Sequence, residues 1–323
     1  MTCGVPQGSL LGPLLFLVYV NDMQISIDPD CKVLLYADDS AILFSHKDPQ
    51  VISSKLSSVM ESCQDWLVDN KLSLHLGKTE SIIFGPKRKL QQAEEMFCVK
   101  CNNHTIGVQK CIKYLGIYID NMLSGEDIVN SIVKKVNQRL KFLYRNRSCL
   151  SLSSRQTLCS ALIQCHLDYA CASWYEGLTK CLKKKLQVAQ NKMVRFILNL
   201  HQRHSVSYLE FEKLNLLNIS NRVKQLRLNH MFNIFNGIAP QYMYQNFVRN
   251  VSTHNTRSGQ SNFIVPFSKG AAASSFNSTA IKDWNALPED IKSIKNKCHF
   301  KRQVKCHLLD YMKRGHESEY IFY

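Results

Sequence analysis

The sequence predicts an α+β protein, and three observations carry that expectation. Residues 1–120 mix short apolar runs with one long helical stripe, the rest is written at helical spacing, and the sign of the charge inverts between the two parts. With 323 residues there is room for two or three domains of about 100–200 residues each. Apolar residues make up 45% and charged residues 20%, which excludes a disordered or collagen-like chain. Lys and Arg total 41 against 25 Asp and Glu, a formal net charge of +16 that points to a polyanionic partner. Residues 1–86 nevertheless carry −5 and residues 87–323 carry +21. An acidic segment suits divalent cations and a basic one suits phosphates; the plain alternative is two solvated surfaces of opposite sign. Thirteen scattered cysteines, an odd number, read as reduced thiols rather than a secreted disulfide framework.

The elements follow in order. Leu10 to Val20 is the most apolar run, 11 residues interrupted by Gly12 and Pro13. It falls short of the roughly 18 that span a membrane and lacks the basic stretch of a signal peptide. It is expected to be a buried helix opened by Pro13 and closed near Asn21–Asp22. Val33–Ala37 and Ala41–Phe44 flank Asp38-Asp39-Ser40 and read as a hairpin of buried strands. Ile52, Leu56, Val59, Met60, Cys63, Trp66 and Leu67 mark a helix over residues 51–70. Ser81–Phe84 reads as a strand closed by Gly85-Pro86, and residues 97–106 and 111–120 as further strands, with Asn102-Asn103 as a tight turn.

From about residue 124 the pattern is helical. Ile128, Ile132, Val136, Leu140 and Leu143 form one stripe, on a helix that also carries Lys134, Lys135, Arg139, Lys141 and Arg145. Gln156–Leu167 is a second helix. Lys180–Leu200 is a third, with Leu182, Leu186, Ala189, Met193, Phe196 and Ile197 inward and Lys183, Lys184, Lys185, Lys192 and Arg195 largely outward. Arg222–Phe235 is a fourth, residues 250–280 read as loop, and a last helical stretch covers about 288–313. The boundaries drawn on this basis are 1–120, 121–205 and a basic region 206–323.

The sharpest chemical signal is Tyr36-Ala37-Asp38-Asp39 at the hairpin turn. Two adjacent carboxylates against a core are costly, through repulsion and desolvation, and a divalent cation relieves both. Mg²⁺ takes one or two carboxylates plus phosphate oxygens. The bland reading is a solvent-exposed Asp turn. Upstream lies Gly4-Val5-Pro6-Gln7-Gly8-Ser9-Leu10-Leu11-Gly12-Pro13. Its glycines permit close backbone approach, and Gln7 offers a donor and an acceptor for a base edge or ribose.

In this order the two motifs resemble those of the reverse transcriptases of non-LTR retrotransposons, especially the jockey-like group. Gly4–Met23 is similar to the family's motif B, Tyr36–Asp39 to motif C, and Leu72–Gly85, with Lys78-Thr79-Glu80, to motif D. Lys113–Asp120 is similar to the primer-grip hairpin, and Gln190–Arg195 and Trp284-Asn285-Ala286-Leu287-Pro288 to blocks of the thumb and C-terminal region. The resemblance implies a partial right-hand polymerase palm at 1–120, a helical thumb at 121–205 and a mostly helical C-terminal region. It implies an RNA-directed DNA polymerase that uses Mg²⁺, an RNA template, a DNA primer and deoxynucleoside triphosphates, in nucleus or cytoplasm. Asp38 and Asp39 would be the catalytic metal ligands, Asp38 the firmer of the two because successive strand side chains diverge. Pro6, Gln7, Gly8, Ser9 and Tyr36 would line the template and nucleotide pocket. Lys78 would contact or protonate the pyrophosphate, and Tyr114, Leu115 and Gly116 would hold the primer end. The alternatives are an exposed loop lysine at 78 and a plain core strand and turn at 114–116.

The family's two-metal reaction draws carboxylates from two strands, and motif A, which bears the second, precedes motif B. With Gly4 three residues from Met1, the chain as given is expected to be inactive alone and its first 120 residues poorly soluble. The competing expectations are a non-catalytic nucleic-acid-binding module and an inert transposon remnant. Cys98, Cys101, His104 and Cys111 do not match common zinc spacings and read as structural thiols. Trp174, Tyr175 and Trp284 are base-stacking candidates that read better as core.

Overall fold

The computed structural model describes residues 8–102, 104–249 and 262–314. It opens with α1 (Gly12–Val20), where Pro13 sits in the first turn, a position whose N–H has no partner to lose. The helix ends at Asn21 as the sequence predicts, but it is not buried. Gly12 and Val20 are its buried residues, whereas Leu14, Leu17 and Val18 are more than half exposed. A helix apolar on every side carries no stripe to say which face is covered, and here Phe16 and Val20 alone turn to the core.

β1 (Lys32–Tyr36) and β2 (Asp39–Leu43) pair antiparallel, with Val33 opposite Ile42 and Tyr36 opposite Asp39. The strands are half-buried rather than buried: Val33, Leu35 and Ile42 pack inward while Leu34 and Leu43 face out. α2 (Pro49–Asp69) is capped by Asp48, whose carboxylate accepts from the Gln50 N–H. All seven of its expected apolar positions are used, by two cores. Val59, Cys63, Trp66 and Leu67 join α1 and the hairpin. Ile52, Leu56 and Met60 join a second cluster with α3 (Lys87–Met96), β3 (Val99–Cys101) and β4 (His104–Ile106). Ser53 and Ser57 of α2 accept from the N–H groups of Cys98 and Lys100, satisfying one edge of β3. The strand expected at 81–84 is reduced to a single parallel bridge, Ser81 with Val108, because Gly85 donates instead to the Asn121 carbonyl. β5 (Cys111–Tyr114) and β6 (Ile117–Asp120) close over Leu115-Gly116, both at positive φ (45° and 82°), as a type I′ turn requires. The described strands thus form three separate two-stranded sheets.

The chain divides into two units, Met1–Gly116 with Asp120–Met122, and Ile117–Ile119 with Leu123–Tyr323. The second is helical. Its α4 (Glu126–Arg145) buries the whole expected stripe. α5 (Leu152–Cys159) runs through a π-turn at Ser160–Gln164 into α6 (Cys165–Asp168), covering the expected second helix. α7 (Cys171–Trp174), α8 (Lys180–Leu198), α9 (Tyr208–Lys213), α10 (Ile219–Phe235) and α11 (Gln241–Tyr244) follow. Residues 250–261, part of the expected loop, lie outside the described residues. The remainder of that stretch is not all loop, since Ser275 caps α12 (Phe276–Asn285). The last expected helix is two: α13 (Glu289–Lys292) behind Pro288, and α14 (Lys297–Arg314), opened by Asn296, whose side chain accepts from the His299 N–H.

Two cores fill this unit. One is built on α4 and α8 with residues 159–178 and 206–223. The other centres on Trp284, Phe232 and Phe300. Arg227, 1% exposed, reaches Glu176 at 2.9 Å and Asp283 at 2.7 Å, and Lys183 also holds Glu176 at 2.8 Å. Burial pushes the Asp283 carboxyl above its ordinary range and Arg227 offsets only part of that; burial also works against ionised Glu176, but Lys183 and Arg227 together bring it below its range. Gln190 and Asn191, both buried, are joined through Gln187, and Gln190 donates to the Leu217 carbonyl.

Candidate active site

The β1–β2 register leaves Ala37 and Asp38 as a two-residue turn. Ala37 takes φ 52°, a left-handed conformation that glycine usually supplies in such turns. The turn presents Asp38 at the tip and puts Asp39 opposite Tyr36 at the first rung of the ladder. All three side chains are exposed, Tyr36 by 64%. The desolvation penalty invoked above is therefore not incurred, and the pair is tolerable in water without a cation. Among the described residues, no His, Cys, Asp or Glu joins them to make a group of three able to hold a metal. The donor set fits the protein's share of one Mg²⁺, which takes one or two carboxylates with phosphate oxygens, and it falls short of a closed two-metal centre.

Of the other expected site residues, Pro6 and Gln7 lie outside the described residues. Gly8 has φ 83°, and a Cβ there would meet nothing within 4 Å. The Ser9 hydroxyl accepts from the Gly12 N–H at 3.0 Å, so it helps to open α1. Lys78 is exposed on a 3₁₀ turn, Leu76–Lys78, anchored in the α2–β3–β4 core through Leu74 and Leu76. Tyr114 ends β5 half-buried, and Leu115 and Gly116 form the turn already described. The structure thus brings the helix behind Gly8 and Ser9 and the Asp38 hairpin onto one core with α2. The Tyr19 hydroxyl of α1 also donates to the Asn70 carbonyl at the end of α2. Lys78 is anchored on the other core.

Cys101 is fully buried with its Sγ 2.8 Å from the Gln64 side-chain oxygen, which fits a structural thiol. Trp284 and Tyr175 are core residues, which removes both as base-stacking platforms, and half-buried Trp174 donates to the Tyr169 carbonyl. On α4, Lys134, Lys135, Arg139, Lys141 and Arg145 are exposed and make no ion pair among the described residues. Burial, then Lys135 and Arg139, hold the His166 imidazole below its ordinary range. On α8 the outward set is smaller than expected. Lys184, Lys185 and Lys192 are exposed, whereas Lys183 pairs with Glu176 and Arg195 donates to the His204 carbonyl. The sequence reading missed the Arg227 site. Its one signal was an arginine four residues after Val223 and four before Met231, in line with the inward face of α10.

Residues 1–119 match the family described as reverse transcriptase (RNA-dependent DNA polymerase). The chain is 25% identical over 203 residues to the probable RNA-directed DNA polymerase from transposon X-element of Drosophila melanogaster. It is 26% identical over 206 residues to the RNA-directed DNA polymerase from mobile element jockey of the same fly. Each match covers 61% of this chain and 22% of the relative, so the chain spans about a fifth of their length. A Pol polyprotein from a type-1 retrotransposable element R1 of Nasonia vitripennis is 26% identical over 185 residues, covering 54% of this chain and 44% of the relative.

Proposed function

We propose that the chain is part of an RNA-directed DNA polymerase of a jockey-like non-LTR retrotransposon, with Asp38 and Asp39 as one half of its nucleotidyl-transfer centre. The observation that supports this most is the hairpin itself. Within the matched residues, the turn offers two adjacent carboxylates at an exposed tip, on the same core as the helix that follows Gly8 and Ser9. Asp38 and Asp39 would hold the Mg²⁺, which when bound supplies Lewis-acid stabilisation of the phosphoryl oxygens. Tyr36, exposed beside Asp39, would flank the nucleotide, and Lys78 would meet the pyrophosphate. The five cations of α4 would follow the phosphates of template and primer, with exposed Phe142, three residues from Arg139 and from Arg145, free to stack on a base.

A second carboxylate strand is required for the two-metal reaction, and none stands beside Asp38 among the described residues. Primer extension on an RNA template with Mg²⁺ should therefore stay at background with this chain alone. It should appear when the chain is fused behind the stretch that precedes the matched region in the D. melanogaster jockey polymerase, and be lost with Asp38→Ala. Fusion activity indifferent to Asp38→Ala would refute the assignment. The cations of α4, which make no ion pair among the described residues, favour a second reading, nucleic-acid binding without catalysis, which predicts binding by a fusion that never extends.

A further inference from the structure

The charge of α14 runs against the ordinary rules of helix construction. Its first turn holds no acidic residue and begins with Lys297, whereas the positive end of a helix dipole favours carboxylates there. Lys297, Lys301 and Lys305 follow at i, i+4 and i+8, a spacing that sets like charges beside one another. None of these three, nor Arg302, makes an ion pair among the described residues. The basic residues at the other end are accounted for: Lys313 pairs with Glu212 at 3.5 Å, and cations suit a helix C-terminus.

The fold fixes where this charge points. Phe300, Val304 and Leu308 lock one seam of α14 into the core. At 3.6 residues per turn, Lys305 falls between Lys301 and Arg302, so the three share an arc of about 100° beside that seam, and Cys298 lies within the same arc. Lys301, Arg302 and Cys298 are exposed and Lys305 is half-buried. A guanidinium of α10 stands close to the cluster. Arg222 acts on Lys305, whose ammonium is held below its ordinary range first by burial and then by that guanidinium; Lys297 acts likewise on His230. Arg222 in turn makes a two-pronged contact to the Asp168 carboxylate. No ion pair among the described residues offsets the four cations Lys297, Lys301, Arg302 and Lys305, and departures of this kind from the dipole and spacing rules are expected at functional sites.

We propose that Lys301, Arg302 and Lys305 of α14 form a ridge that tracks the phosphodiester backbone of a nucleic acid, separate from the cations of α4. The inference does not rest on the polymerase reading, and its test uses neither metal nor nucleotide. Binding of the full chain to a labelled RNA hairpin, and to a DNA duplex of matched length, is measured in EDTA over a salt series. Replacing the three residues together (Lys301→Gln, Arg302→Gln, Lys305→Gln) should flatten the slope of log K against log salt by about 2 to 3, at roughly 0.7–0.9 per phosphate contact. The comparison of probes tells which backbone is tracked. In the unaltered chain, where folding is not in question, saturating RNA or DNA should slow alkylation of Cys298 severalfold, and high salt should abolish that protection. An unchanged slope, or Cys298 alkylated at the same rate with and without nucleic acid, overturns the proposal. So does loss of binding to phosphatidylserine vesicles in the triple variant without change toward either nucleic acid.

Discussion

Arg227 offers the strongest test of how the helical unit is held together. It is fully buried, and its guanidinium answers two carboxylates on different elements, Glu176 before α8 and Asp283 on α12. Arg227→Met keeps most of the apolar stem and removes the charge. Breaking a buried pair from one side costs about 3–5 kcal/mol, because the remaining ion is left uncompensated. The lower end applies here, since Glu176 keeps Lys183 at 2.8 Å and both carboxylates retain some solvent. For a unit of this size, about 3 kcal/mol is roughly 6–12 °C in Tm. The pH dependence gives the sign. Glu176, held below its ordinary value, adds stability that is present above its unfolded pKa and lost as pH falls through the folded one. Asp283, held above its ordinary value, costs stability that is fully felt above its folded pKa and relieved as pH falls toward the unfolded one. Without Arg227 the Asp283 carboxyl rises further, so the deficit of the variant should be widest near pH 7 and narrow toward pH 4. Thermal melts at both pH values measure it, and adding Asp283→Asn should restore much of the loss at pH 7. A deficit under about 1 kcal/mol, or one that widens on acidification, would sink the reasoning.

Three further outcomes are expected. Burial pushes the thiols of Cys159 and Cys171 up to about 12 and that of Cys63 to about 11, so alkylation of the native chain near pH 8, read by mass spectrometry, should spare all three while modifying exposed Cys149, Cys181 and Cys306. Asn285→Ala removes both partners of the Phe263 backbone, which donates at 3.0 Å and accepts at 2.8 Å, and should cost about 2–4 kcal/mol in a denaturant titration. Gly125→Ala puts a side chain at φ 72° where its Cβ meets buried Leu178, and should lower Tm by several degrees, or about 1–3 kcal/mol.

The helices were legible wherever one face had to be apolar. The stripes of α2, α4 and α8 are occupied position by position, because a 3.6-residue period with polar intervals allows one burial geometry. α1 was legible as a helix and not as an exposed one, since a run apolar on all sides has no period to read. The strand expected at 81–84 stopped short for a different reason: Ile83 does reach the core, but the ladder ends after Ser81, which bonds Gly107 and Gln109, and Gly85 turns to the Asn121 carbonyl. Trp284-Asn285 was legible as a motif, but its use was not. The tryptophan fills the second core, and the asparagine clamps Phe263, 22 residues away, a contact no local pattern encodes.

The hairpin tip separates what chemistry alone can argue from what sequence order adds. In water, two like charges 4 Å apart repel by about 1 kcal/mol, so an exposed pair such as Asp38 and Asp39 needs no counter-ion to persist. Electrostatics at the turn therefore does not single out a metal site, and the same two residues would be at ease on an inert loop. What supports the proposed role is position. The turn sets Asp38 at the tip and Asp39 across from Tyr36, and the strands behind them share a core with the helix opened by Ser9. A second carboxylate strand laid against the tip would exclude water, and only then would repulsion and desolvation become large enough to call for a cation. If Asp38 and Asp39 act as proposed, the metal affinity would belong to the completed site rather than to the hairpin, whose contribution would be geometry: a two-residue turn that holds both carboxylates at an exposed tip.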